Sequence, residues 1–247
     1  GPLTRPKPVT RRCAGSSEWP SARARWRITC REDESITATS GRFILDNGGT
    51  IPYYVNDSST NNDVYCTAPG SDENDGLSPE SPKANVQAIL DAYGLAKEDV
   101  VYVDAGTYVA GTPPIVLNQM TSGYIAPDPA SNLYVTIQGS TNPAAPTTFV
   151  APSFSTPHVF SLQYAVNVRM KDLTIRNASV GVQSYQTIGC EFENVRIENN
   201  QSVGLNMSRS TGLRLIRSVL WKNSSATGGV AVVMSESSLV VENSVLW

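Results

Sequence analysis

Histidine is almost absent from this sequence: His158 stands alone in 247 residues, and only 17% of the chain is charged. One imidazole cannot supply a paired-histidine metal centre. Of the four cysteines, Cys13, Cys30, Cys66 and Cys190, no two form a C-x-x-C pair, so a structural zinc site is not expected. No apolar run reaches the roughly 18 residues that a membrane-spanning helix needs. No basic start leads into an apolar stretch, so no signal peptide is read here. What is plentiful is Gly, Ser, Thr and Asn. That balance suits a β-rich, loop-rich secreted or cell-surface protein better than a helical cytosolic enzyme.

The net charge of −3 is unevenly spread. Residues 1–34 hold Arg5, Lys7, Arg11, Arg12, Arg23, Arg25, Arg27 and Arg31 against Glu18, Glu32, Asp33 and Glu34, a net +4 that leaves −7 for the rest. A basic arm of this kind, with Trp26 set between two arginines, suits nucleic acid or an acidic polymer. It has no sustained apolar period, so a poorly ordered leader over 1–45 is expected and nucleic-acid binding is the distant reading. Cys13 and Cys30 could close a short loop within it in an oxidising compartment. Residues 46–132 form an opening region of mixed signals, and 133–247 are repetitive.

The repeat emerges when four segments are superposed, starting at Val168, Cys190, Leu213 and Leu239. The apolar pair Leu173/Ile175 recurs as Val195/Ile197, Val219/Trp221 and Val245/Trp247, at offsets of 22, 24 and 26. A second pair precedes it each time: Val168/Met170, Cys190/Phe192, Leu213/Leu215 and Leu239/Val241. A third segment follows: Val180-Gly-Val182, Val203-Gly-Leu205 and Val230-Ala-Val232. Each repeat thus carries three short strands with period-2 alternation. One coil of three strands cannot bury its apolar face alone, whereas stacked coils create a continuous core. The expected fold is all-β, a right-handed parallel β-helix with three strands per coil. A leucine-rich repeat is excluded because its spacing is missing. Asn177, Asn199 and Asn223 close the same strand in successive coils and are expected to form a ladder along the stack, in preference to serving as glycosylation sequons (Asn177-Ala-Ser179, Asn223-Ser-Ser225). Cys190 falls on an inward position and reads as a small buried hydrophobe.

In the opening region, Val86, Ile89 and Leu90 space an amphipathic helix after Pro82, and Val101/Val103 reads as a strand. A helix over 83–94 is expected to cap the first coil, whose strand edges and apolar side chains would otherwise be open. The string Tyr65-Cys-Thr-Ala-Pro-Gly-Ser-Asp-Glu-Asn-Asp-Gly-Leu-Ser-Pro-Glu-Ser-Pro82, this helix, and Val101-Tyr-Val-Asp-Ala-Gly-Thr-Tyr108 together resemble the opening of secreted right-handed β-helix proteins of the pectin-lyase-like superfamily. The resemblance covers roughly 64–247. It implies polysaccharide lyases, glycoside hydrolases, epimerases or surface-protein segments without chemistry, and fold alone does not choose among them.

Two kinds of site follow from that resemblance. A lyase would use a Lys or Arg base, often with Ca²⁺ offsetting a uronate carboxylate. A hydrolase would need clustered Asp residues on neighbouring coils. Outward columns read from the alternation are Arg176/Glu198/Lys222 and Arg169/Glu191/Arg214, where the sign alternates from coil to coil. Such columns neutralise one another at about 0.2–1 kcal/mol per pair, which favours a structural ladder. The candidates for substrate contact are Arg169, Lys171, Arg196 and Arg214. No Asp cluster occurs in the repeats, where Asp172 stands alone. Asp72, Asn74 and Asp75 offer oxygen ligands for Ca²⁺ on a tight turn, but the EF-hand glycine and glutamate are missing, so Asx turns are the competing reading. His158 aligns with Val180 and reads as a core or strand-end residue. A turn excursion is expected over 139–157, long enough to wall a groove. Two functions stay open: binding or processing of an acidic polysaccharide, lyase- or epimerase-like if catalytic, or a structural or adhesive segment of a larger surface protein, of which this chain would be a truncated part.

Overall fold

The structure is a computed structural model that describes residues 50–110, 113–118, 133–223 and 229–247, and the backbone of four short strands before them. Those strands, β1 (Ala22–Ala24), β2 (Arg27–Thr29), β3 (Thr37–Thr39) and β4 (Phe43–Leu45), form two antiparallel pairs, β1 with β4 and β2 with β3. They fall in one compact unit, Gly1–Gly49, while Thr50–Trp247 makes another. The poorly ordered leader expected over 1–45 includes these four paired strands, and its other residues, Cys13 and Cys30 among them, lie outside the described ones.

The second unit is a stack of coils. After β5 (Pro52–Val55) and helix α1 (Val86–Ala92), the first full coil is β6 (Val100–Val103), β7 (Gly106–Val109) and β8 (Ile115–Asn118). The second is β9 (Val135–Gln138), β10 (Thr147–Val150) and β11 (His158–Gln163), and the third β12 (Val168–Lys171), β13 (Leu173–Arg176) and β14 (Val180–Tyr185). The fourth is β15 (Glu191–Glu193), β16 (Arg196–Glu198) and β17 (Val203–Ser208), and the fifth β18 (Leu213–Ile216), β19 (Val219–Trp221) and β20 (Val230–Ser235). β21 (Leu239–Glu242) and β22 (Val245–Leu246) follow. Equivalent strands pair in parallel to give sheets of seven, six and five strands, ordered β21-β18-β15-β12-β9-β6-β5, β22-β19-β16-β13-β10-β7 and β20-β17-β14-β11-β8. This is a parallel β-helix, in the right-handed sense that strand twist imposes on parallel crossovers.

Bends between strands are made by single residues with positive φ that recur in columns. Tyr164, Gln186, Arg209 and Glu236 form one, Asn167, Gly189 and Gly212 a second, Asp172, Asn194, Arg217 and Asn243 a third, and Asn177, Asn199 and Lys222 a fourth. The left-handed region turns the chain through a corner in one step. Between corners, inward side chains such as Phe149, Phe160, Phe192, Ile197 and Leu215 are fully buried. Each stabilises the stack by roughly 1.5–3 kcal/mol.

The seven-stranded sheet has the expected register, with Met170 against Phe192 and Leu213/Leu215 against Leu239/Val241. In the six-stranded sheet the register differs by one residue from the expectation. Ile197 pairs with Leu220, and Leu220 with Leu246, so Val219, Trp221 and Val245 lie on the outward columns. Ser218 takes the inward position, donating to the Phe192 carbonyl at 3.1 Å and accepting from the Val195 N–H at 3.1 Å. A one-residue slip exchanges the two faces of a strand, so the outward column is Arg176/Glu198/Trp221 and not Arg176/Glu198/Lys222.

The same slip moves the asparagine ladder. Asn177 and Asn199 are corner residues, as is Lys222, and the ladder is made by Asn200 and Asn223. Asn200 Oδ1 accepts from Ala178 N–H at 3.0 Å, Asn223 Oδ1 accepts from Asn200 Nδ2 at 2.9 Å, and Asn223 Nδ2 donates to the Ile197 carbonyl at 2.9 Å. The ladder explains the glycine of the Val-Gly-Val and Val-Gly-Leu segments. A Cβ on Gly204 would sit 2.7 Å from Asn223 Nδ2 and 2.8 Å from the Ala231 carbonyl. Gly204→Ala is therefore expected to lower stability by about 2–3 kcal/mol in urea unfolding. Gly94→Ala, where nothing lies within 4 Å, serves as the neutral comparison. Equal midpoints for the two would contradict the packing argument.

Helix α1 is shorter than the expected 83–94. Asn85 caps it by accepting from Ala88 N–H at 2.9 Å, and Lys83 instead makes a parallel bridge to Val55. Val86, Ile89 and Leu90 are buried, and Gln87 Oε1 accepts from Val116 N–H at 2.9 Å on β8, the edge strand of its sheet. One exposed ladder donor of the first coil is thereby satisfied. The excursion expected over 139–157 is interrupted by β10, which pairs with β7 and β13. Its Thr-Thr-Phe-Val sequence is strand-forming, and the loop before it, residues 139–146, bears on the site.

Candidate ligand groove on the six-stranded sheet

Loop 139–146 and the outward face of β13, β16 and β19 enclose a groove of about 310 Å³. Its floor is the column Thr174, Arg196 and Val219, one residue from each of three successive coils. One wall is the corner column Asp172, Asn194 and Arg217, whose positive φ turns the side chains out beside the floor. Ser140, Thr141, Asn142, Pro143 and Pro146 of the loop line the opposite side.

The polar groups of the groove hold one another in place. Asp172 accepts from Gln138 Nε2 at 2.6 Å on one oxygen and from Asn194 Nδ2 at 2.5 Å on the other. Arg196 donates through Nε to Glu198 at 2.5 Å, and Arg217 through Nη2 to Glu193. These guanidinium side chains are 45% and 58% exposed. Each pair uses one donor and leaves the remaining N–H groups of the fork for another acceptor. Tyr65, whose ring packs against Tyr102 at a tilt with centroids 4.7 Å apart, donates its hydroxyl to the Gly139 carbonyl at 2.9 Å and fixes the base of the loop. Burial pushes the Tyr65 phenol above its ordinary range, which keeps it a donor.

Of the residues singled out from the sequence, Arg196 lines the groove. Arg169, Lys171 and Arg214 lie on the adjoining seven-stranded face in an alternating ladder. Arg169 pairs with Glu191 at 2.7 Å and covers the Tyr134 ring at 4.0 Å, while Arg214 pairs with Glu191 at 2.9 Å and with Glu242 at 2.8 Å. Glu191 between them is only 4% exposed. Lys171 pairs with Glu193 at 3.2 Å. Asp72, Asn74 and Asp75 sit on the tight turn as expected, and a cation is already there: Lys83 Nζ donates to the Asp72 carbonyl at 2.8 Å and the Asn74 carbonyl at 2.5 Å. Asp72 caps Ala84 N–H and Asn85 Nδ2, Asn74 Nδ2 donates to the Pro82 carbonyl, and Asp75 accepts from Leu77 N–H. Among the described residues no group of three or more His, Cys, Asp or Glu is placed to hold a metal ion.

His158 is half-buried at the start of β11 opposite Val180, and burial lowers its pKa. Asp172, Asn194 and Arg217 are site residues that the repeat pattern does not single out. Their signal was positional: each stands immediately before an inward residue of its repeat. The repeat places Trp221 and Trp247 at inward positions, and the structure does not. They stack on the outer face with centroids 5.7 Å apart, beside Lys222 and Arg196, and Trp247 is 78% exposed.

No family model and no curated protein matches the sequence. Among solved structures, the chain is similar to pectate lyase Pel9A, with a TM-score of 0.48 and 16% identity over 79% of this chain and 54% of that one. It is also similar to a rhamnogalacturonan lyase, with a TM-score of 0.34 and 14% identity over 79% of this chain and 62% of that one. The chain thus spans less than two thirds of the length of either. The parallel β-helix expected from the repeats rests on the three sheets and their registers. No helix among the described residues is long and apolar enough to cross a membrane.

Proposed function

We propose that this β-helix is a secreted or cell-surface protein that binds an acidic polysaccharide in the groove over β13, β16 and β19. The observation that carries the reading is the pair Arg196 and Arg217. Both are oriented by a carboxylate, and both keep free donors beside the hydroxyl and amide groups of Thr174, Ser140, Thr141, Asn142 and Asn194. Guanidinium forks recognise carboxylates, and hydroxyl and amide groups suit sugar hydroxyls. Recognition is favoured over turnover by the same geometry. Arg196 and Arg217 are each engaged by a carboxylate, the nearby Lys171 is engaged by Glu193, and Asp172 is the one carboxylate in the groove lining. A hydrolase would need a second carboxyl group across the bond.

The ladder Arg169–Glu191–Arg214–Glu242 favours a second reading, a structural or adhesive segment, because its charges satisfy one another along the stack. The two readings separate in one experiment. Polyuronides and a neutral glucan are titrated into the protein by calorimetry, with and without Ca²⁺, while absorbance follows unsaturated products. Binding confined to the polyuronides, weakening as salt screens the arginines, is the expected result. Absence of binding to every acidic glycan, in either ionic condition, would remove the groove reading and leave the structural one.

A further inference from the structure

The groove is not open at both ends. On the side of the second coil it meets loop 139–146, and that loop is fastened to its own coil. Thr147 Oγ1 accepts from Ser140 N–H at 2.7 Å, Ser140 Oγ from Asn142 N–H at 3.1 Å, and Asn142 Oδ1 from Ala144 N–H at 3.1 Å. Ala145 N–H closes on the Asn142 carbonyl at 3.0 Å, and Pro143 and Pro146 fix φ within the same stretch. Beyond the loop, Thr148 occupies the outward column of Thr174 but is only 8% exposed. The strip that forms the floor is therefore covered at the second coil.

Chemistry also changes along the groove. At the closed end stand the Asp172 carboxylate and the Thr174 hydroxyl. One coil further are Asn194 and Arg196, and one coil beyond that Arg217 and Val219. Successive coils are separated by about 4.8 Å, so within the lining the Asp172 carboxylate and the two guanidinium groups are spaced along the axis, while Glu198 and Glu193, which orient the arginines, lie outside the lining. Each Asp172 oxygen receives one amide donor and keeps a lone pair. It can accept from hydroxyl groups but repels a carboxylate. The arginines toward the open end do the reverse.

We propose that the groove is a chain-end site. It takes the terminal sugar of an acidic glycan against the loop, with terminal hydroxyls on Asp172 and Asn194 and the next carboxylate on Arg196 and Arg217. This rests on the glycan-binding reading of the same groove. An internal stretch of polymer would have to pass through the position of Ser140–Pro146, whereas a terminus need not. The volume, about 310 Å³, is at the small-ligand end of the range for binding sites.

The test compares polygalacturonate and alginate with their own size-fractionated oligomers, the protein being titrated by calorimetry in moles of chain. A chain-end site gives one protein per chain at every length, and an affinity per chain that is constant within about twofold. Internal binding gives more protein per chain, and a higher apparent affinity, as the chain lengthens. Stoichiometry that grows with length would overturn the chain-end inference while leaving acidic-glycan binding standing. No binding by polymer or oligomer would remove both.

Discussion

Replacing Asp104 by alanine is expected to destabilise the β-helix by about 4 kcal/mol and to lower its melting temperature by about 10 °C. Asp104 lies at the corner between β6 and β7, fully buried. Its Oδ1 accepts from Val64 N–H at 2.6 Å and from Ala105 N–H at 2.8 Å, and its Oδ2 from Tyr65 N–H at 2.8 Å and Cys66 N–H at 2.6 Å. Three of these donors belong to the segment that precedes the coils, so one carboxylate ties that segment to the first coil. Hydrogen bonds to a charged group are worth more than neutral ones, and each donor left unpaired in a buried place costs about 1–3 kcal/mol. Asparagine is a poor rescue, because its amide nitrogen would face two of the four N–H groups. Stability in a stacked solenoid is carried between neighbouring coils. Amide exchange in the Asp104→Ala protein is therefore expected to accelerate first at residues 64–66 and β5–β7, with β15–β19 keeping their protection. A melting temperature unchanged from the wild type would show that the buried carboxylate is not the tie its geometry implies.

Much of this architecture was legible from residue spacing, and the reason is the continuity of the core. In the seven-stranded sheet every inward position read from the sequence holds an apolar residue or Cys190, so the alternation gives the register directly. The six-stranded sheet breaks that rule at Gly106 and Thr147 in its first two strands and again in its last two. β19 and β22 are short, their preceding inward positions hold Ser218 and Ser244, and their outward positions end in Trp221 and Trp247. Choosing the register that buries most apolar surface then places the tryptophans inside, and everything downstream of the corner follows, including the ladder at Asn200 and Asn223. A serine at an inward position is tolerated because its hydroxyl is bonded within the wall, buried Ser218 to the Phe192 carbonyl and half-buried Ser244 to the Leu215 and Glu242 carbonyls. The groove was legible only in part for a different reason. Arg196 can be picked out as an outward base. Asp172, Asn194 and Arg217 sit on corners, where no periodicity says which way a side chain points, and loop 139–146 closes over the sheet because β10 follows it.

Substituting both Arg196 and Arg217 by glutamine is expected to weaken polyuronide binding on the order of a thousandfold while moving the melting temperature little. Each guanidinium would contribute charge-assisted hydrogen bonds worth about 1.5–3 kcal/mol, and two of them account for most of that factor. Glu198 would then stand beside the ligand without its arginine partner and repel it, while Glu193 keeps Lys171 at 3.2 Å. The fold would lose little, since exposed ion pairs contribute about 0–1 kcal/mol each. The pair Arg169 and Arg214 should behave in the opposite way. Glutamine at both strips Glu191, 4% exposed, of its two cationic partners, for a stability cost of about 1–2 kcal/mol after allowing for the solvent around the arginines. Glycan affinity should stay near that of the wild type. Calorimetry and thermal melting on the two double variants thus distinguish a groove that reads carboxylates from a ladder that holds coils in register. Equal losses of affinity in both would place the glycan across the seven-stranded face, where Arg169, Arg214 and Lys171 point outward, and not under loop 139–146.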